Sequence, residues 1–307
     1  MRHVLEAQQF DRRFIETLFA RTAELEHLID QKNGQQIRLL EGNMMFTIFY
    51  EPSTRTRVSF NAAAQHLGMQ VVSTENAREF SSAAKGETLE DTIKTLCQYR
   101  PDVIVLRHNE TGAAERAAAI SSVPIINAGD GMGQHPTQAL LDLYTIQKEL
   151  GRSDNLHVVI GGDLAHGRTA RSLAYLLAKF KANQITFLAP PGLEIGRDIT
   201  DHLTKQGTKF NETSDIESAL KLADVVYWTR VQKERFDSSK LAQTFVIDAK
   251  DMILLKKDAI LMHPLPRVDE ITPAVDSDPR AAYFRQAGNG MFIRMALLEW
   301  VLEKNHD

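Results

Sequence analysis

Cysteine occurs once in these 307 residues, at Cys97, so neither an intrachain disulfide nor a cysteine-rich zinc site can be built. The setting of Cys97 near Ile93 and Leu96 at helical spacing predicts a buried helix residue rather than a nucleophile. No stretch approaches the roughly 18 apolar residues of a membrane helix. Met1 is followed by Arg2, His3 and a polar-interrupted segment instead of an apolar leader. These absences predict a cytoplasmic protein with no membrane partner. Positive charge is not in excess either: the formal net charge of −4 gives no global attraction to nucleic acid. An anionic ligand must therefore be held by locally placed cations. Long polar or low-complexity tracts are missing, and 43% apolar with 25% charged residues is the composition of a chain that folds throughout.

A chain of this length exceeds what one hydrophobic core usually supports, so two domains of about 150 residues are expected. From about residue 43, apolar runs alternate with helical patterns, the order of βα units around a mostly parallel sheet. Strands are predicted at Met44–Tyr50, Gln70–Ser73, Val103–Arg107 and Pro124–Asn127, separated by helices at about Arg55–Leu67, Glu87–Tyr99 and Ala113–Ile120. Pro136–Leu150 carries Leu140, Leu141, Tyr144 and Ile146 at helical spacing and stops at Gly151, which makes it a bridge between domains. A second series follows at His157–Gly161, Gln184–Ala189, Val225–Thr229, Phe245–Asp248 and Ala259–His263. Its helices are best seen at Thr169–Phe180 and Asp215–Ala223, and Met291–Leu302 reads as a terminal helix. The fold class is α/β, with two doubly wound parallel-sheet domains joined by bridging helices. Ligands of such domains lie outside the carboxyl ends of the strands.

Ser53-Thr54-Arg55-Thr56-Arg57 falls between a buried strand and a helix that stops at Gly68. A strand-to-helix turn exposes unpaired backbone N–H groups at the positive end of the helix dipole, a ready anion site. Ser53, Thr54 and Thr56 add hydroxyl donors, and Arg55 adds a fork that binds phosphate oxygens at two points. A helix cap with solvated arginines is the simpler reading, but capping needs one hydroxyl and not three.

Ser-Thr-Arg-Thr-Arg after a first strand resembles the carbamoyl phosphate signature of the aspartate and ornithine carbamoyltransferases. The resemblance extends over nearly the whole chain. It continues through Ser81 and Lys85 ahead of Gly86-Glu87, Arg107-His108, His135-Pro136-Thr137-Gln138, Gly167-Arg168-Thr169, Arg230-Val231-Gln232 and His263-Pro264-Leu265-Pro266-Arg267, in the family's order. It implies a carbamoyl phosphate-binding domain over 1–135, completed by a C-terminal helix at about 288–307 that packs back on it, and an aspartate-binding domain over 150–287.

Site residues are implied in the same way. Ser53, Thr54, Arg55, Thr56, Ser81 and Lys85 match the phosphate-binding set, with the Ser81–Lys85 loop reaching a neighbouring subunit's active site. Arg107 and His135 match the contacts to the carbonyl oxygen, and Gln138 the contact to the carbamoyl amino group. Arg168 matches the binder of one aspartate carboxylate, and Arg230 with Gln232 the binders of its other end. The carbonyls of Pro264 and Leu265 match the contacts to the carbamoyl nitrogen and the incoming amine. Arg55, Lys85, Arg107 and His135 are the implied catalytic set. Some relatives carry a second lysine directly before Lys85, where this chain has Ala84. Ornithine carbamoyltransferases typically have cysteine where this chain has Pro264, which favours aspartate as acceptor.

The reaction so implied joins carbamoyl phosphate to L-aspartate in pyrimidine synthesis, in a homotrimer with shared active sites, a separate regulatory chain being a possible further partner. It implies no cofactor and no metal, and no activated serine or cysteine, paired acid and base carboxylates or metal-ligand cluster stands out in the sequence. Other readings of single features remain. Arg107 alone is also a strand-end surface arginine, and His135 a polar group flanking a proline that opens a helix. Gly161-Gly162-Asp163 after an apolar strand is similar to a dinucleotide loop, as in a nicotinamide-dependent oxidoreductase, but lacks the G-x-G-x-x-G spacing. A noncatalytic sensor or scaffold would have lost motif residues, and none is lost. A cationic acceptor such as ornithine calls for acidic groups where Arg168 and Arg230 stand.

Overall fold

Burial on both faces is what the near-continuous apolar strands require, and the computed structural model, which describes residues 3–80, 82–230 and 245–303, supplies it in two all-parallel sheets. By its internal packing the chain divides into one unit that reaches to Thr137 and resumes at Asn289, and a second formed by Gln138–Gly288.

In the first unit the strands are β1 (Met44–Phe49), β2 (Gln70–Thr74), β3 (Val103–His108) and β4 (Ile125–Asp130), in the order β2-β1-β3-β4. The chain leaves β1 to one side for β2 and then crosses to β3 on the other, so the switch point lies between β1 and β3. Helices α1 (Arg12–Gln31), α2 (Thr54–His66), α3 (Ala77–Phe80), α4 (Leu89–Gln98) and α5 (Ala113–Ile120) complete the unit. One core cluster joins Phe46, Ile48, Ile104, Leu106 and Ile125 of the strands to Ile93 of α4 and Ala113 and Ala117 of α5.

The second unit orders its strands β7-β6-β5-β8-β9, with β5 at His157–Gly161, β6 at Gln184–Leu188, β7 at Lys209–Thr213, β8 at Val225–Trp228 and β9 at Ile260–Met262. Its switch point lies between β5 and β8. The helices are α6 (Pro136–Leu150), whose first two residues belong to the first unit, then α7 (Arg168–Leu177), α8 (Arg197–Lys205), α9 (Ile216–Leu222) and α10 (Ala249–Leu254). The last helix, α11 (Tyr283–Leu302), returns the chain to the first unit from Asn289 onward. There Arg21 of α1 grips Glu299 with two N–H groups at 2.6 and 2.7 Å, Phe14 meets Trp300 edge-on at 4.7 Å, and Arg294 donates to Ser59 Oγ at 3.0 Å while lying over the Phe60 ring. Among the described residues no helix is long and apolar enough to cross a membrane.

The structure departs from the sequence reading at several elements. Phe245–Asp248 is not a strand: Ile247 makes a single bridge to Ile271, and Asp248 instead caps α10, accepting from the N–H groups of Lys250 and Asp251. The terminal helix begins at Tyr283, eight residues before Met291, because Asn289 is buried as one of its polar positions rather than ending it. Strand β7 and helices α1 and α8 were not expected. Cys97 sits in α4 as a half-buried residue 3.5 Å from Ser121 Oγ, not as a fully buried one, because it lies on the flank of the stripe centred on Ile93.

Candidate active site

The turn after β1 delivers the polypeptide into α2 with Ser53 as its N-cap, and the Ser53 side chain makes no capping hydrogen bond. The first N–H groups of α2 are thus not closed by that hydroxyl, and the helix dipole points its positive end at the same place. Thr54 and Arg55 are exposed there, Ser53 is half-buried and Thr56 is buried. Arg57 takes a different role: it pairs with Glu75 at 2.6 Å and leans on Ser73, fastening α2 to the end of β2. Among the described residues no ion pair involves Arg55, so its fork is not spent inside the protein.

Arg107, the penultimate residue of β3, pairs with Phe49 of β1 on the other side of the switch point. Its guanidinium reaches the Glu51 carboxylate at 3.2 Å and the Ala128 carbonyl at 3.1 Å. His135 is 4% exposed and immediately precedes Pro136 at the start of α6. The loop that brings it there is pinned by buried Asp130, which accepts from Gly112 N–H, Gln134 N–H and Asn127 Nδ2 at 2.9–3.1 Å. Gly131, at φ +49, is pressed so closely against Thr111 that a Cβ would meet its backbone nitrogen at 2.7 Å. Lys85 ends a short 3-10 turn, Ser82–Lys85, and is exposed. Ser81 lies outside the described residues. The fold therefore assembles the Ser53–Thr56 turn and Arg107 at one switch point, with donors to spare and an arginine that is already oriented.

The second unit repeats this arrangement. Arg168 opens α7 after β5, and Arg230 follows β8, so both leave the strands that flank the switch point. Arg168 is half-buried and Arg230 exposed. The Asp163–Gly167 turn ahead of Arg168 is held by Asp163, 1% exposed, which accepts from His166 N–H at 3.1 Å and faces His166 Nδ1 at 2.9 Å. Gly161 and Gly162, which made the segment look like a dinucleotide loop, have a packing cause. A Cβ on Gly161 would lie 2.5 Å from the Trp228 ring, and one on Gly162, at φ +116, 2.3 Å from the Thr229 carbonyl. Glycine there lets β5 and β8 close on each other, and Thr229 seals the join by donating its N–H and Oγ to the Gly161 carbonyl. Gln232 lies outside the described residues.

Pro264 and Leu265 follow β9, and Gln138 lies in the first turn of α6. Leu265 holds φ +49, a left-handed conformation that a leucine adopts only when its surroundings dictate it. What dictates it is His263, whose Nδ1 accepts the Leu265 N–H at 2.8 Å and whose Nε2 meets Glu270 at 2.9 Å. Although burial favours the neutral acid, the His263 and backbone hydrogen bonds hold the Glu270 carboxyl below its usual range. Sequence reading missed Glu51, Asp130, Asp142, Glu270 and Gln286 as supports of the site. They act across the fold, and only Asp142, four residues after Gln138, carried a local signal.

Two family models cover the chain. The aspartate/ornithine carbamoyltransferase carbamoyl-P binding domain matches residues 2–148, and the Asp/Orn binding domain of the same group matches residues 154–301. The chain belongs to the aspartate/ornithine carbamoyltransferase family. Within it, the chain is 55% identical over 304 residues to a chloroplastic aspartate carbamoyltransferase of Arabidopsis thaliana, covering 97% of this chain and 77% of the relative. The catalytic subunit of M. jannaschii aspartate transcarbamoylase superposes with a TM-score of 0.92 at 42% identity, covering 99% of both chains. Aspartate transcarbamoylase of Trypanosoma cruzi, solved with N-(phosphonacetyl)-L-aspartic acid, gives 0.90 at 42% identity, covering 97% of this chain and 94% of that one.

These relatives overturn the cytoplasmic expectation. The Arabidopsis, pea and rice relatives are chloroplastic enzymes, so the cytoplasmic expectation does not stand. An address segment is read separately from the fold and removed from it, so a folded domain's own composition does not carry the compartment.

Proposed function

We propose that this chain transfers the carbamoyl group of carbamoyl phosphate to the amine of L-aspartate, yielding N-carbamoyl-L-aspartate and phosphate for pyrimidine synthesis. The observation that carries the reading is the pairing of two switch-point sites of different design. One offers an uncapped helix N-terminus with Arg55 and the prearranged Arg107. The other offers two arginines, Arg168 and Arg230, after its two central strands. The first suits a phosphate and the second a dicarboxylate. In support, the T. cruzi relative binds a compound that joins a phosphonate to aspartate.

Carbamoyl phosphate is already activated, so the protein has to orient the amine, stabilise charge on the carbonyl oxygen and accept the leaving phosphate. Ser53, Thr54, Arg55, Thr56, Ser81 and Lys85 hold the phosphate. Arg107 and His135 meet the carbonyl oxygen, which gains negative charge as the aspartate nitrogen bonds to the carbonyl carbon. Gln138 and the carbonyls of Pro264 and Leu265 accept from the carbamoyl amino group and the amine. Arg168, Arg230 and Gln232 grip the two carboxylates. The carbon–oxygen bond to phosphate then breaks, and the amine proton leaves with the phosphate. We assign the unit ending at Thr137 to carbamoyl phosphate and the unit Gln138–Gly288 to aspartate. The assembly is a homotrimer in which the Ser81–Lys85 loop completes a neighbour's site.

The deciding experiment measures ureido product from carbamoyl phosphate with aspartate or ornithine as acceptor. Product with aspartate alone is expected. Product with ornithine, or none with either, overturns the reading.

A further inference from the structure

Asp142 is a carboxylate with no exposed surface, placed one turn after Gln138 on α6. Its Oδ1 accepts from Gln138 Nε2 at 2.8 Å and from Gln286 Nε2 at 2.6 Å, and its Oδ2 from the Tyr227 hydroxyl at 2.7 Å. Burial first, and the charge of Asp142 second, hold the Tyr227 hydroxyl well above its usual value, so it remains a donor. A carboxylate only accepts, so both amides must turn their NH2 groups toward it. Gln286 is then left with an oxygen facing away, and that oxygen accepts the His263 N–H at 2.9 Å. The orientation is therefore consistent at both ends of Gln286.

From His263 the same logic continues. Its Nδ1 accepts from the Leu265 N–H, so Nε2 carries the proton and gives it to Glu270 Oε1 at 2.9 Å. Glu270 Oε2 accepts from the N–H groups of Val268 and Asp269 at 3.0 and 3.2 Å. One buried chain of hydrogen bonds thus runs from Gln138 through Asp142, Gln286 and His263 to the Pro264–Leu265 turn. Both of its ends carry acceptors. Gln138 has its Oε1, while the turn has carbonyls, because Pro264 and Pro266 lack N–H groups and that of Leu265 is consumed.

We propose that Asp142 is a positioning residue that fixes the placement of these acceptors and thereby selects an acyl donor bearing an amino group over one bearing a methyl group. The inference rests on the reading of Gln138 and Leu265 given above and deepens it. A buried carboxylate adds little net stability compared with apolar packing of the same volume, so its return here is orientation.

The test uses the full-length enzyme with carbamoyl phosphate as substrate and acetyl phosphate, which carries methyl in place of amino, as competitor. Asp142→Asn keeps the shape but removes the charge and one of the two acceptor oxygens, so the hold on the Gln138 amide weakens. The expected result is a rise of about tenfold in KM for carbamoyl phosphate with acetyl phosphate inhibition changed by less than about twofold. Equal weakening of both compounds, or of neither, overturns the proposal. Should Asp142→Asn not fold, Gln286→Met cuts the chain while leaving Asp142 and Gln138 paired. A carbamoyl-over-acetyl preference reduced by about threefold or more supports the proposal, and an unchanged preference overturns it. Gln138→Ala separates the two layers of argument. If it leaves the preference intact while wild-type enzyme still carbamoylates aspartate, the selection device is refuted and the reaction stands. Absence of wild-type turnover instead refutes the reaction.

Discussion

The Arg107 guanidinium lies 3.2 Å from the Glu51 carboxylate, which ties the carboxyl end of β3 to the loop that leaves β1. With the second N–H on Ala128, the fork is aimed before any substrate arrives. Such preorganised donors give charge stabilisation without reorganisation at the moment of reaction. Arg107→Ala should therefore lower kcat by about a hundredfold, whereas Glu51→Gln, which loosens the aim but keeps the donor, should mainly raise KM for carbamoyl phosphate by about three- to tenfold. Steady-state kinetics on the two variants decide the matter. Equal, small effects would remove Arg107 from the reacting centre.

Arg55 makes a contrasting prediction, because it is exposed and is in no ion pair among the described residues. Its loss should cost the fold little, within about 0.5 kcal/mol, as for other surface substitutions. Phosphate binding should fall at least about tenfold, since alanine removes a bidentate donor while the N-terminus of α2 persists. Calorimetry with inorganic phosphate, beside a thermal melt, reads both quantities. Unchanged phosphate affinity in a folded variant refutes the role.

The paired arginines of the second unit predict a dicarboxylate requirement. An acceptor lacking one carboxylate forfeits its charge-assisted contact with Arg168 or Arg230. Succinate should inhibit competitively against aspartate, and asparagine should be carbamoylated at least about a hundredfold less efficiently. Comparable kcat/KM for asparagine and aspartate would contradict the two-arginine site.

Mild acid should destabilise the protein through its buried histidines. Burial holds His3, His108, His157 and His202 below the ordinary histidine value of 6.5. A lowered folded value means that the unfolded chain takes up protons first, so this stability is complete above about pH 6.5 and declines as pH falls toward the folded values. His108 is the best placed to report it, being buried against Tyr50 with Nδ1 accepting the Glu110 N–H. The midpoint temperature should drop between pH 7.5 and 5.5, and His108→Gln should make that drop shallower. A midpoint that rises on acidification would show that the histidines are stabilised as cations.

The elements read most directly from sequence were those whose packing is periodic and local. Burial of β1, β3, β5 and β8 requires unbroken apolar runs, and the helices between them need an apolar stripe. Strand β7 escaped because it is an edge strand, Lys209-Phe210-Asn211-Glu212-Thr213, with little buried surface to mark it. Helix α1 did carry a signal, in Ile15, Leu18, Phe19, Leu25 and Ile29 at helical spacing, but it stands outside the βα alternation. At the site, Ser53–Thr56, Arg107, Arg168 and Arg230 were legible because each lies at or just beyond the carboxyl end of a strand. Asp142 and Gln286, 144 positions apart, were not, because only the closed fold makes them neighbours.

The assembly itself can be tested through Lys85 and Arg55. Lys85 is exposed at the end of its 3-10 turn and is in no ion pair among the described residues, as suits a group that serves another chain. Lys85→Ala and Arg55→Ala should each be inactive alone. If the assembly is the proposed cyclic trimer, dissociating the two variants, mixing them in equal amounts and reassembling them puts both chains in about three trimers in four. In every mixed ring one interface, and only one, joins an intact Arg55 side to an intact Lys85 loop. One restored site of three in three-quarters of the trimers returns about a quarter of wild-type activity. Sites contained within one chain predict no recovery, because every chain then carries one defect. Mixed trimers demonstrated by native mass spectrometry, yet inactive, would defeat the shared site and leave the reaction assignment untouched.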